Sequence, residues 1–430
     1  MPLGSAGGYR TRAAVSGAVG ALVFLFPLTH GPAQGGLPDD HATEVMLPAS
    51  THIAASTGLF ATACTGAGSC VAGGDYQNPG KPVEPVVATQ SHGRWFQGVR
   101  LLLPLNAAAQ PYAEVNGIAC LSRGNCVAVG AYEYGRSNSF QAFIATETDG
   151  VWGRAFAPRL PGNSLNPASA QLDAVSCANG FCEAVGGYRD SSGNVQTMAL
   201  AKPVGSYWRP AAEVASPPGA AVNPDAFMTG ISCTGPGSCV AVGNYSVSSS
   251  RFAAMGAVES RGAWQRATEI AAPRNAVPST FTAMSSISCT ATGPCLGVGE
   301  YAISATQSRA MSVTESNGRF ALATEIPAVP PGSSPSPSTY LLGVSCASAN
   351  VCRAVGGGRN TAGHSVAMYM TLWHGRWRAQ FLAPPAQAGT GTHELSALYS
   401  VSCTARDECT AVGYYHDATG ALRAEAASTG

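Results

Sequence analysis

Two groups of residues in this 430-residue chain have types and spacings that could carry chemistry. The first is its fourteen cysteines, which fall into short pairs: Cys64/Cys70, Cys120/Cys126, Cys177/Cys182, Cys233/Cys239, Cys289/Cys295, Cys346/Cys352 and Cys403/Cys409. Five residues separate the partners, or four in the third pair. Such pairs can oxidise or bind a metal. A zinc centre needs four ligands, and no second pair or histidine cluster accompanies any single pair, so local disulfides are expected and no metal is. Each closed loop of about seven residues then contributes about 2 kcal/mol, and the seven together on the order of 10 kcal/mol. The second group is the carboxylates Glu133, Asp190, Glu300 and Asp417, which stand beside aromatic and basic residues. Aromatic faces with carboxylates and Arg can stack on and hydrogen-bond sugars. Two carboxylates facing each other about 5 to 9 Å apart would instead hydrolyse a glycosidic bond.

The elements that must position these residues are legible from the period. Successive pairs recur every 56 or 57 residues, the mark of a repeat architecture. Each repeat reads Ile/Val-Ser/Ala-Cys, a Gly/Ser/Asn-rich turn, then Cys-x-Ala-Val-Gly-x-Tyr. That is a strand, a tight turn and a second strand, with the disulfide tying the hairpin near its turn. Four residues after the second cysteine stands Gly74, Gly130, Gly186, Gly243, Gly299, Gly356 or Gly413. A glycine fixed inside a strand implies a bulge or close backbone approach. Two residues on, Tyr76, Tyr132, Tyr188, Tyr245, Tyr301 and Tyr415 recur, with Gly358 the exception. So regular an aromatic reads as packing between repeats. An apolar third strand then leads to Gly-x-Trp, the aromatic being Trp95, Trp152, Trp208, Trp264, Phe320 or Trp377, and to a fourth strand such as Ala267-Thr268-Glu269-Ile270. The Thr-Glu of this outer strand reads as a solvated face.

Four antiparallel strands repeated radially make a β-propeller blade, and seven cysteine pairs make seven blades. The last repeat stops at Thr429-Gly430 without a fourth strand, while Ala42-Thr43-Glu44-Val45 has the form of one ahead of the first repeat. The expected fold is therefore all-β: a seven-bladed propeller of four-stranded antiparallel blades, its last blade closed by the N-terminal strand.

The repeats resemble those of secreted actinobacterial propellers with Ser-Cys…Cys-x-Ala-Val-Gly blades, over about residues 40 to 430; that group implies no particular activity. Gly186-Gly187-Tyr188 followed by Trp208 is similar to a kelch blade, and Thr148-Asp149-Gly150-Val151-Trp152 resembles the Asp-box turn of sialidase-like propellers. Other repeats replace that Asp, as in Ser316-Asn317-Gly318-Arg319-Phe320. Such boxes are structural turns and imply fold rather than catalysis.

Arg10 and Arg12, the apolar stretch Ala13 to Leu28 and Gly31-Pro32-Ala33 fit a secretory signal, giving residues 1–33 as signal peptide and 34–430 as one propeller. An uncleaved anchor is the other reading of this stretch, although about sixteen residues is short for a spanning helix. Export agrees with an even cysteine count and with disulfides, so a secreted or cell-surface location is expected. Only 11% of residues are charged, and 24 basic residues balance 24 acidic ones. No net field exists to hold nucleic acid or an anionic membrane, and a monomer is expected.

In a propeller, loops between the second and third strands and between successive blades share one face, and by fold analogy ligands meet it. The disulfide hairpins lie on the other. The ligand-binding set expected on the loop face is Tyr132, Glu133, Arg136, Tyr188, Arg189, Asp190, Glu300, Tyr301, Arg359, Tyr415, His416 and Asp417. No nucleophile elbow, zinc-protease helix or phosphate loop is present, so no catalytic residue or cofactor is assigned. The expected function is an exported, non-catalytic scaffold that binds glycan or protein through its loop face. The alternative is a glycoside hydrolase or lyase of sialidase-like architecture.

Overall fold

The computed structural model describes residues 42–46, 48, 56–135, 139–249, 251–277, 281–291, 293–335, 337–391 and 394–429. The expected signal peptide and Arg136 lie outside the described residues.

The elements form seven antiparallel sheets, one per cysteine pair. Blade 3 is representative: Ala170–Ala178 pairs with Phe181–Arg189, which pairs with Val195–Lys202, which pairs with Ala212–Glu213. Its second strand is buried at eight consecutive positions. Apolar–polar alternation is lost there because each blade is sandwiched between two neighbours, so both of its faces meet protein. The cores accordingly sit between blades. Val185 and Ala199 of blade 3, for example, pack with Met228, Tyr245 and Met255 of blade 4.

The ring closes as the split repeat implies. Thr43–Glu44 pairs with Leu422–Thr429, Thr43 opposite Ala426 and Glu44 opposite Glu425, so the chain's start completes blade 7.

All seven cysteine pairs are disulfides within their own hairpins: Cys64–Cys70, Cys120–Cys126, Cys177–Cys182, Cys233–Cys239, Cys289–Cys295, Cys346–Cys352 and Cys403–Cys409. The pairing is the expected one, but a clip at the turn understates where the sulfurs lie. The second cysteine of every bridge, Cys70, Cys126, Cys182, Cys239, Cys295, Cys352 and Cys409, is buried. The reason is position: each of these residues stands on the second strand, which is covered by a neighbouring blade on both faces. Cys126, Cys182, Cys295 and Cys352 pack among the apolar side chains of the interblade cores, beside Ala128, Ala184, Val313 and Ala354 respectively. These cysteines therefore form no accessible site and act as core residues as well as cross-links.

A second set of ties links blade to blade. The Ser before a first-strand cysteine accepts a hydrogen bond from the backbone N–H of the next blade's first cysteine: Ser176 from Cys233, Ser232 from Cys289, Ser288 from Cys346, Ser345 from Cys403 and Ser402 from Cys64, all at 2.9–3.0 Å. The Ser of the repeat motif is thus an interblade clasp.

The recurring glycine answers both readings of it. A Cβ on Gly299 would sit 1.9 Å from the Ala283 carbonyl oxygen. Just past this contact the first strand carries a bulge in every blade, displacing one residue from the ladder: Phe60, Asn116, Asp173, Thr229, Ser285, Leu342 and Tyr399. The outer strand is short or split in the other blades, as two pieces in blades 1, 4 and 5 and as Ala212–Glu213 alone in blade 3, whereas in blade 6 Arg376–Phe381 runs unbroken.

Candidate functional site

The repeated tyrosines lie in the core. Tyr132, Tyr188, Tyr301 and Tyr415 are 0–1% exposed. Their hydroxyls are satisfied inside the blade: Tyr188 donates to Glu213 at 2.7 Å, Tyr301 to Glu325 at 2.9 Å and Tyr415 to Glu44 at 3.3 Å. Tyr132 lies within hydrogen-bond reach of Gln141 and Asn106. The outer-strand glutamates are therefore more than a solvated face, since the Tyr beneath them pins the outer strand through its carboxylate. Burial, reinforced by the Glu325 hydrogen bond, pushes the Tyr301 hydroxyl up to about 12. Burial does the same to Tyr132.

Other expected ligand residues hold their own loops. Asp190 Oδ1 accepts the backbone N–H groups of Ser192 and Asn194 while Oδ2 accepts from Gln196. Asp417 repeats this with Thr419 and Ala421, and its Oδ2 takes the Arg423 Nε–H at 2.8 Å. Burial would raise both carboxyls, but these hydrogen bonds outweigh it and hold both below the usual range. Glu133 accepts from the Tyr112 backbone N–H, and Arg189 donates to the Gly193 carbonyl. Blades 2 and 3, which carry Tyr132 to Asp190, lie across the ring from blades 6 and 7.

What converges is a different set, in the sector from blade 5 to blade 1. First strands begin, and second strands end, on the loop face. The bulge residue Tyr399 meets Phe60 edge-to-face at 5.3 Å and Tyr414 at 5.8 Å, and Tyr414 meets His416 at 6.2 Å. Tyr340, the second residue of blade 6, joins them. Its ring lies across Gly357, where a Cβ would stand 2.3 Å from the tyrosine oxygen, and its hydroxyl reaches Ser365 Oγ on the third strand at 3.3 Å. Burial pushes this hydroxyl up to about 12, with the neighbouring Tyr399 and Glu300 raising it further. The Glu300 carboxyl is itself raised by burial, against a hydrogen bond from Ser308. Arg359 is the cross-strand partner of Ser365 and so shares its face. Beside Ser365, His364 Nδ1 lies 2.9 Å from Glu394 Oε2. Glu300, Arg359 and His416 thus belong to one sector of the loop face, together with Phe60, Tyr340, Tyr399, Tyr414, His364 and Glu394, which the sequence reading passed over. Their signal lay in columns that vary between invariant neighbours. The bulge column runs Phe, Asn, Asp, Thr, Ser, Leu, Tyr, and the residue between the fixed Gly and Tyr runs Asp75, Ala131, Gly187, Asn244, Glu300, Gly357, Tyr414.

Two further carboxylate sites lie in the interblade cores. Glu183 and Glu259 are 2% and 5% exposed, and Trp264 Nε1 donates to Glu183 at 2.6 Å. Burial raises both carboxyls, and the Glu259 charge raises Glu183 further. Glu183 lies within 4.8 Å of the Cys233 and Cys239 sulfurs, but those are bridged to each other and offer no thiolate. Glu425 is 0% exposed, and neither of its oxygens has a hydrogen-bond partner among the described residues.

No family model matches the chain, and no curated protein matches it. Solved structures do. A protein of unknown function from Dyadobacter fermentans is similar with a TM-score of 0.51 at 10% identity, over 90% of this chain and 97% of that one. An α-L-arabinanase from Penicillium chrysogenum aligns at 0.42 and 10% identity over 90% and 97% of the two chains. The six-bladed, fucose-recognising lectin of Aleuria aurantia aligns at 0.41 and 11% identity over 79% and 99%. At these identities the likeness is one of fold, and the fold is the β-propeller.

Proposed function

We propose that this is an exported, non-catalytic propeller that binds a glycan, or a protein bearing comparable groups, at the loop-face end of blades 5 to 1. The supporting observation is the contiguous aromatic cluster Phe60–Tyr399–Tyr414–His416, flanked by Tyr340, Glu300 and Arg359. Tyr399, Tyr414 and His416 are half-buried over the buried Phe60 ring, and such rings with polar groups at their edges suit the apolar face and hydroxyl rim of a sugar. Seven disulfides and the N-terminal Arg-plus-apolar segment support export. Among the described residues no helix is long and apolar enough to cross a membrane. A glycosidase has one observation in its favour, the burial-raised Glu300 carboxyl, which is the state a general acid requires.

Calorimetric titration with arabino-, xylo-, gluco- and galacto-oligosaccharides tests the reading. At least one series is expected to bind, with Tyr399→Ala and Tyr414→Ala each weakening it about tenfold or more. Wild-type affinity retained in both variants would place the ligand elsewhere. Release of reducing sugar, abolished by Glu300→Gln, would make the protein an enzyme.

A further inference from the structure

Three blades build the loop between second and third strands on the same turn, and one of the three differs in what the turn residue does with its second atom. Asp190 and Asp417 use one carboxylate oxygen for the turn and the other for a third-strand donor, Gln196 or Arg423. In blade 6 the residue at the donor's position is Val366, which has nothing to give. The turn residue there is Asn360. Its Oδ1 still accepts the backbone N–H groups of Ala362 and His364, both at 3.0 Å, and this fixes which way the amide points. Its Nδ2 is therefore directed away from the turn, and it donates to Glu394 Oε1 at 2.7 Å. The other oxygen of Glu394 faces His364 Nδ1. A carboxylate only accepts, so Nδ1 carries a proton, and in the neutral form of the ring Nε2 is then the nitrogen with the lone pair.

We propose that His364, oriented by Glu394 and Asn360, is the hydrogen-bond acceptor of the loop-face site and takes a hydroxyl of a neutral, polyhydroxylated ligand stacked on the neighbouring tyrosines. The dyad adjoins the aromatic cluster through its chain neighbours. His364 precedes Ser365, which the Tyr340 hydroxyl reaches, and Glu394 precedes Leu395, whose carbonyl accepts the backbone N–H of His416. His364 and Glu394 side chains are 29% and 39% exposed, so the imidazole is held yet open to solvent. Glu394 and Asn360 are positioning residues in this arrangement, and His364 makes the contact.

The inference rests on the binding reading above, and its test separates the two. The imidazole nitrogens of ¹⁵N-histidine-labelled protein, assigned through His364→Gln, are expected to show the Nδ1-protonated tautomer, and Glu394→Gln or Asn360→Asp is expected to shift that signal. A dominant Nε2-protonated tautomer overturns the inference whether or not any saccharide binds. In titrations with the tightest-binding oligosaccharide of the four series, His364→Ala is expected to weaken affinity about threefold to tenfold, with His364→Gln recovering part of it through its amide oxygen. Unchanged affinity in His364→Ala, with Tyr399→Ala still weakened, overturns the acceptor role and leaves the aromatic reading standing. A wild type that binds none of the four series overturns both.

Discussion

Blades 5 and 6 are neighbours built to one plan, and they part at three positions that touch one another. In blade 5, Tyr301 donates to Glu325 on the outer strand, and Arg309 on the third strand lies 3.7 Å from that carboxylate. In blade 6 the same positions hold Gly358, Phe381 and Val366. A Cβ on Gly358 would lie 3.3 Å from both Phe381 and Met368, so the phenyl ring of the outer strand occupies the space that the tyrosine ring fills next door. The polar tie has become an apolar one, with the aromatic moved from the inner side of the contact to the outer. Loss of the third-strand donor in the same exchange left Asn360 free to turn its amide toward Glu394. Correlated departures from a repeat therefore mark where two neighbouring blades stop being interchangeable.

The largest effect should come from the part that both blades keep. Gly299→Ala puts a methyl group 1.9 Å from a backbone oxygen that cannot move without breaking the ladder, and should destabilise the ring by about 3 kcal/mol or more in chemical denaturation. A loss below about 1 kcal/mol would mean that the contact relaxes and that the glycine is not what fixes the blade.

Blade 7 departs from the plan in a costlier way. Opposite the fixed glycine the third strands carry Val86, Phe143, Met198, Met255, Met311, Met368 and, in blade 7, Glu425. Burial raises the Glu425 carboxyl well above its ordinary value. The folded chain then keeps a proton that the unfolded chain releases, so this residue's contribution to stability declines as pH rises from the unfolded carboxylate range toward the folded one. Glu425→Met restores the repeat and should stabilise the protein at pH 7 by about 1 to 3 kcal/mol, while flattening that part of the stability–pH curve. Destabilisation would show that the carboxylate has a partner that repays its burial.

The smallest effect is also the sharpest test of the exchange between blades 5 and 6. Gly358→Tyr alone should be poorly tolerated, because Phe381 already fills the site. The triple substitution Gly358→Tyr, Val366→Arg, Phe381→Glu should return to within about 1 kcal/mol of the parent, since a Tyr–Glu hydrogen bond and a half-buried ion pair like Arg309–Glu325 are each worth about that much. A triple variant no more stable than the single one would break the correspondence between the two blades.

Ring and blade count were legible because they are written seven times, in the cysteine spacing and the fixed glycine, and closure because Thr43-Glu44 stands stranded ahead of the first repeat. The site was legible only in part, for a reason inherent in repeats. Tyr132, Tyr188, Tyr301 and Tyr415 looked like ligand residues through the loops they flank, but alternation within the strand turns them into the core. Tyr399 was hidden because a bulge carries no sequence signature of its own. His364 and Glu394 are 30 residues apart and meet only because the chain enters blade 7 over the loop of blade 6.

The interblade clasp also distinguishes the joints of this ring from one another. The chain's two ends meet within blade 7, yet the joints on either side of that blade, with Ser345 and Ser402, both carry the clasp. Ala63 and Ala119 stand where the serines of blades 1 and 2 would be, and they have no hydroxyl to offer to Cys120 and Cys177. The stitched seam thus carries the clasp on both sides, and the joints without it are the next two along the ring, between blades 1 and 2 and between blades 2 and 3. At the joint between blades 2 and 3 a different fastening takes over, the Asn116 amide donating to the Leu172 carbonyl at 3.1 Å and the Tyr134 hydroxyl to the Ala168 carbonyl at 2.9 Å.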